Sequence, residues 1–140
     1  MTYVVDASVA VKWFVEEPGS SSACALLATG KVLLAPSLVL AEAGNTAWKK
    51  VRRGEMTQEQ GEAMVRALPL YFHRLVHTEV LIDRAYALAH QLDHPVYDCL
   101  YLALAEQETV LLVTDDRRLL KVVARTEFHK RVRSLEHSAR

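Results

Sequence analysis

Three short apolar or β-branched runs punctuate the chain, at residues 2–5, 32–35 and 110–114, with a weaker strand candidate at 75–77 and an edge-strand candidate at 131–135, and the stretches between them carry apolar residues at helical spacing. The clearest run, VLLVT at 110–114, is continuous rather than alternating, as in a strand buried on both faces. Short continuous strands alternating with longer helices predict an α/β fold, a three-layer α/β/α sandwich around a mostly parallel central sheet. With 140 residues, 51% of them hydrophobic and 24% charged, the chain suits one compact domain over residues 1–140.

Local signals place the helices. Ser37 is positioned to cap a helix running to about Arg53. Thr57 and Gln60 form a capping-box pattern for the next. After Thr78, the residues Leu81, Ala85, Leu88 and Leu92 keep helical spacing. Pro95 suits the first turn of a further helix, whose body is HPVYDCLYLALAEQ. Leu119, Val122 and Val123 mark the last. EEPGSSS at 16–22, TGK at 29–31 and RRGEMT at 52–57 read as turns.

Cys24 and Cys99 lie far apart in apolar contexts, which predicts two buried free thiols in a reducing compartment. MTYVVDASVAVKWF meets charge too soon for a signal peptide, and no run has the length of a membrane span. A cytoplasmic protein without a membrane partner is expected. Lys plus Arg and Asp plus Glu number 17 each, so net charge selects neither a nucleic acid nor a membrane.

Between Tyr97 and Ala105 every residue but Asp98 is apolar or aromatic. A helix that is apolar all round is buried. An isolated carboxylate there is penalised by on the order of several kcal/mol, so it must be protonated, paired or bound to a metal. A first-turn Asp also has a plainer use, as partner of the helix dipole. Other acids narrow the choice. Asp6 directly follows the strand YVV and could cap the turn Ala7-Ser8-Val9. Asp115 and Asp116 follow VLLVT, and either could cap the next helix. Glu42 lies about one and a half turns into the helix after the second strand, on a face shared with Leu38 and Asn45. Four segments thus aim carboxylates at one edge of one sheet, the edge where open parallel sheets bind ligands.

Clustered carboxylates raise one another's pKa unless a cation neutralises them. An oxygen-only set favours Mg²⁺ or Mn²⁺, which can activate water and neutralise a phosphodiester. His90 and His94 are four apart but Pro95 follows and no third ligand is apparent, so zinc is not favoured. His73 and His77 share the spacing but straddle a helix end and a strand. The motifs GxxxxGK[ST], GxGxxG and GxSxG are missing.

Together VVDASVAVKWF, PSLVLAEAGNTAWK, HPVYDCLYLALA and LLVTDDRRL resemble a PIN domain, especially the VapC-type toxins of toxin–antitoxin pairs. The blocks stand in the expected order between residue 3 and about residue 125. The resemblance implies a metal-dependent endoribonuclease with an α/β/α fold, often dimeric, held in check by a cognate antitoxin. It maps the family's four acids onto Asp6, Glu42, Asp98 and Asp116, with Asp6, Asp98 and Asp116 as the Mg²⁺ or Mn²⁺ ligands. Ser8, Asn45 and Thr114 fall on its small polar positions and would orient the acids, and Asp115 becomes a cap or weak secondary ligand. Only the family's Thr-x-Asp pattern selects Asp116 over Asp115.

RNA must then approach an acidic pocket, and Lys49, Arg117 and Arg118 could grip its phosphates. Trp13, Phe14 and Trp48 could stack on bases, although core or partner contacts suit them better. A homodimer is expected through the helix from about Thr57, carrying Met64, Val65, Leu68 and Phe72, together with the helix after Thr78. Two rivals remain. A Mg²⁺-dependent phosphohydrolase or phosphoacceptor would need DxD after the first strand, where Asp6-Ala7-Ser8 stands, or a phosphoacceptor Asp after a central one. A catalytically silent binding module would have lost an acid, and none is lost.

Overall fold

The computed structural model describes residues 1–28 and 30–138. Its sheet consists of β1 (Thr2–Val5), β2 (Val32–Pro36), β3 (Arg74–Val76), β4 (Leu111–Thr114) and β5 (Val132–Ser134). All four pairings are parallel, in the order β3-β2-β1-β4-β5. Central β1 puts Val4 beside Leu34 on one side and beside Leu112 on the other. Its last residue, Val5, pairs with Val113. The chain builds outward from β1 through β2 to β3, then crosses back to lay β4 on the other flank of β1. Strand order therefore reverses between β1 and β4.

Helices flank the sheet in an α/β/α sandwich. They are α1 (Ala7–Ala10), α2 (Ser20–Ala25), α3 (Leu38–Arg52), α4 (Gln58–Ala67), α5 (Thr78–Leu92), α6 (Val96–Glu108), α7 (Arg117–Val123) and α8 (Leu135–Ser138). In α6 every residue from Cys99 to Ala105 is buried, because the helix packs on β1, β2 and β4 and is covered by α5. Leu81, Ala85 and Leu88 of α5 supply that cover. The capping box at Thr57 and Gln60 forms as expected, with both reciprocal hydrogen bonds present. Among the described residues no helix is long and apolar enough to cross a membrane.

Several expectations are corrected. Ser37 holds the N-cap position of α3 in a helical conformation without a side-chain cap; its N–H instead donates to Val76 O at 2.8 Å, tying the helix start to β3. Pro95 is the N-cap of α6 rather than a residue of its first turn. EEPGSSS is more than a turn, since Ser20 opens α2 with its hydroxyl accepting from Glu17 N and donating to Val15 O. Gly19 permits this: its φ is +93°, and a Cβ there would meet Leu135 at 3.3 Å. Cys24 is exposed because α2 turns Ala23 inward instead, while Cys99 is buried as expected. Of the turn at 29–31, Thr29 lies outside the described residues, and Gly30 has a φ of +90°.

The proposed dimer face is also redrawn. Met64, Leu68 and Phe72 belong to the chain's own core, where Phe72 packs on Trp13. Trp13 donates to Ala23 O at 2.9 Å and Phe14 stacks on Tyr71, so these aromatics serve packing, whereas Trp48 stays exposed under the guanidinium of Arg52. Met64 is 1% exposed and its neighbour Val65 is 48% exposed. Met64→Ala should therefore cost about 2–5 kcal/mol, and Val65→Ala only about 0.5 kcal/mol. Urea midpoints at unchanged m-value read the difference, and equal costs would contradict the assigned face of α4.

Candidate active site

The reversal of strand order between β1 and β4 opens a crevice at their carboxyl ends. A cavity of about 280 Å³ there is lined by Asp6, Ser8, Glu42, Asn45, Asp98 and Asp116, with Ala7, Thr46 and Tyr101. Four carboxylates from four separate segments thus face one space, and each is held differently.

Asp6 leaves β1 in extended conformation and caps α1. Its Oδ1 accepts from Ser8 Oγ at 2.6 Å and from Val9 N at 3.3 Å, and its Oδ2 accepts from the Thr114 hydroxyl. Those hydroxyls are themselves oriented by the end of β4. Asp115 N donates to Ser8 Oγ and Asp116 N to Thr114 Oγ1, both at 3.0 Å. Burial pushes the Asp6 carboxyl up to about 7, against the lowering effect of these donors, and the negative charge of Asp98 adds to the rise.

Glu42 projects from α3, and its Oε1 accepts from the Tyr101 hydroxyl at 2.6 Å. Burial raises its pKa, the Tyr101 donor opposes this, and Asp98 and Asp116 raise it further. Burial and the facing Glu42 hold the Tyr101 phenol well above its ordinary pKa, so it remains a donor. Asp98, at the third position of α6, is not an isolated charge: His94 Nε2 lies 2.6 Å from its Oδ2. His94, weighed by sequence only as a zinc ligand with His90, instead engages this acid.

Asp116 caps α7, its Oδ1 accepting from Arg118 N at 2.9 Å and Leu119 N at 3.2 Å. Asp115 is turned away, with its Oδ2 3.3 Å from Lys12 Nζ. Lys12 is buried and also donates to Glu17 and to Pro18 O, while Glu17 pairs with Lys50 of α3. This ion network ties the segment after β1, α3 and the end of β4 together behind the cavity. Geometry thus separates Asp115 from Asp116, which helical periodicity and capping potential could not. Lys49, Arg117 and Arg118 are exposed and lie outside the cavity lining.

Tyr101, Thr46 and Lys12 are not singled out by sequence, and His94 is weighed there only as a zinc ligand paired with His90. The i, i+4 spacing of His94 and Asp98 was a usable signal, masked by Pro95 between them. Tyr101 gave none, because an aromatic in an apolar helix reads as core. His90, the other histidine of that pair, stacks edge-on against Tyr86.

The cavity's donors are carboxylate, hydroxyl and amide oxygens, the chemistry that suits Mg²⁺ or Mn²⁺. Among the described residues no three His, Cys, Asp or Glu side chains stand close enough to hold an ion as they are. Like charges held apart in this way would be drawn inward by a cation.

A PIN domain family model matches residues 3–125. Ribonuclease VapC3 of Pyrobaculum aerophilum is 38% identical over 122 residues, spanning 85% of this chain and 92% of the relative. Ribonuclease VapC1 of Mycobacterium tuberculosis is 35% identical over 117 residues, spanning 83% and 86%. Among solved structures, PAE2754 of Pyrobaculum aerophilum superposes with a TM-score of 0.70 at 22% identity, covering 99% of this chain and 87% of that one. VapBC2 of Rickettsia felis, bound to a DNA fragment from its promoter, gives a TM-score of 0.65 at 17% identity, covering 96% and 98%. These structural likenesses concern the fold.

The burial of Asp6 makes metal-free stability depend on pH. Its pKa is near 3.8 when unfolded and about 7 when folded, so between those values the folded chain holds a proton that the unfolded chain has lost. Stability is then greatest at low pH and falls as pH rises toward 7. At roughly 1.4 kcal/mol for each tenfold change in proton affinity, the loss is no more than about 4 kcal/mol. Urea melts in chelator at pH 5 and pH 8 should show wild type losing stability relative to Asp6→Asn. Parallel pH dependences would mean that Asp6 ionises as an ordinary carboxylate.

Proposed function

Because this chain belongs to the PIN domain family, we propose that it is a divalent-metal-dependent endoribonuclease, the toxin of a toxin–antitoxin pair. The convergence of Asp6, Glu42, Asp98 and Asp116 on one cavity is the observation that carries the reading. Relatives named as VapC ribonucleases and a neighbour crystallised as VapBC2 support it.

In this reading Asp6, Asp98 and Asp116 hold Mg²⁺ or Mn²⁺. Asp116 offers the oxygen that does not cap α7, and Asp98 the one not engaged by His94. Bound there, the ion supplies charge neutralisation at the scissile phosphate and acidifies water. Glu42 accepts the proton of the attacking water on Oε2, the oxygen that Tyr101 does not occupy. Ser8 and Thr114 keep Asp6 aimed, and Asn45 faces substrate from the cavity wall. Lys49 shares the Glu42 face of α3 by i+7 spacing, and Arg117 and Arg118 open α7; all three grip flanking phosphates. As the bond from water oxygen to phosphorus forms, the bond to the 3′-oxygen breaks, and that oxygen takes up a proton from solvent. The products are a 5′-phosphate and a 3′-hydroxyl.

An antitoxin is the protein partner in this reading, and a second copy docks on the α4 and α5 side, where Val65, Val80 and Tyr86 remain exposed. The protein works in the cytoplasm, where its RNA is.

Cleavage of structured RNA should require added Mg²⁺ or Mn²⁺ and stop in excess EDTA. Undiminished cleavage in chelator, or 2′,3′-cyclic ends, would overturn the mechanism. Asp98→Asn and Asp116→Asn should each lower turnover by at least about 100-fold, a loss of about 2.7 kcal/mol in transition-state stabilisation. Asp115→Asn, which touches only the Lys12 network, should lose far less. Comparable losses at 115 and 116 would mean that both acids share the ion.

A further inference from the structure

We propose that His94 is a positioning residue for Asp98: its imidazole fixes one carboxylate oxygen and thereby presents the other to the cavity. The inference rests on the nuclease reading and deepens it, since the family resemblance assigns no role to residue 94.

The contact is short and enclosed. His94 Nε2 and Asp98 Oδ2 are 2.6 Å apart, and the two side chains are 2% and 24% exposed. A ring N–H at Nε2 donating to Oδ2 is the arrangement in which the imidazole fixes that carboxylate oxygen. No other hydrogen bond reaches the Asp98 carboxylate among the described residues, which leaves Oδ1 for the cavity.

The backbone around His94 is as constrained as its ring. Asp93 ends α5 in the left-handed region at φ 50°, and His94 N donates to Ala89 O at 3.1 Å. Pro95 then fixes φ at −54° and starts α6. The imidazole is held where two packed helices join, with its polar edge directed at an acid that lines the cavity.

A carboxylate in the first turn of a helix rotates freely about two side-chain bonds unless something stops it. Acids that bind metal are commonly fixed by such an outer hydrogen bond, whose loss weakens metal affinity by roughly 10–100-fold. Tyr101 does the same for Glu42 from the next turn of α6. The first two turns of one buried helix, with the residue that precedes its N-cap, thus set the orientation of two of the four acids.

Reach separates this role from packing. In His94→Gln the amide nitrogen falls close to the place of Nε2, whereas in His94→Asn the same amide is too short to meet Oδ2. Mn²⁺ would be titrated into wild type, His94→Gln, His94→Asn and His94→Phe, with free Mn²⁺ counted by electron paramagnetic resonance. RNA cleavage would be followed as a function of Mn²⁺, and unfolding measured in chelator. We expect His94→Asn and His94→Phe to bind Mn²⁺ about 10–100-fold more weakly, with cleavage recovering as Mn²⁺ is raised. His94→Gln should stay within a few-fold of wild type. Wild-type Mn²⁺ affinity in the Asn and Phe variants would overturn the inference and leave the nuclease reading standing. Equal weakening in Gln and Asn would also overturn it, because packing rather than the N–H would then matter. If wild type itself neither binds Mn²⁺ nor cleaves RNA, the nuclease reading falls and this inference with it. Should His94→Phe fail to fold, the Gln and Asn pair still decides.

Discussion

Asp6 sits at the carboxyl end of the central strand, buried, with both carboxylate oxygens engaged. Its donors come from two directions: Ser8 and Val9 belong to the turn that follows β1, and Thr114 ends β4. The same two hydroxyls accept from the amides of Asp115 and Asp116. One carboxylate therefore closes β1, starts α1 and joins the two strand ends between which the sheet reverses. Burying it costs stability, which its donors reduce without abolishing, as its raised pKa shows. The arrangement is stable because the parallel pairing of β1 with β4 brings Val5 beside Val113 and so sets Thr114 opposite Asp6.

The second support is α6. Its burial on the sheet and under α5 leaves it little freedom to tilt, and Asp98 and Tyr101, one turn apart, share its cavity-facing side. A polar group carried by such a helix is aimed more accurately than one on a loop. Behind the cavity, Lys12 binds Glu17, Pro18 and Asp115, and Lys50 carries the network to α3. A buried lysine needs such partners. Occupied by Lys12, Asp115 is not part of the cavity lining, and Asp116 is.

Much of this was legible beforehand. The inner strands β1, β2 and β4 lie within about a residue of the apolar runs, because a strand buried on both faces must be continuously apolar. The capping box at Thr57 announced α4 through chemistry confined to four residues. The four acids could be collected at one edge because a parallel sheet sends all its carboxyl ends the same way. The failures share a cause as well. Met64, Leu68 and Phe72 looked free to meet a second copy, since periodicity reveals an apolar face and not what covers it. Cys24 looked buried because its neighbours are apolar, yet only Ala23 of that short turn faces inward with Ser20.

By itself the sequence determined what is local or strictly periodic: the strand and helix alternation, the capping box at Thr57, the parallel class of the sheet, and the presence of carboxylates where strands end. Tertiary structure alone decided what depends on distances between segments far apart in the chain. It set Thr114 against Asp6 across 108 residues and Tyr101 against Glu42 across 59. It turned Asp115 to Lys12 while leaving Asp116 in the cavity. Even the pairing of His94 with Asp98, only four residues apart, required the left-handed turn at Asp93 and the packing of α5 on α6. Hydrogen bonds demand partners within about 3 Å, and no pattern along a chain measures that separation until the chain has folded.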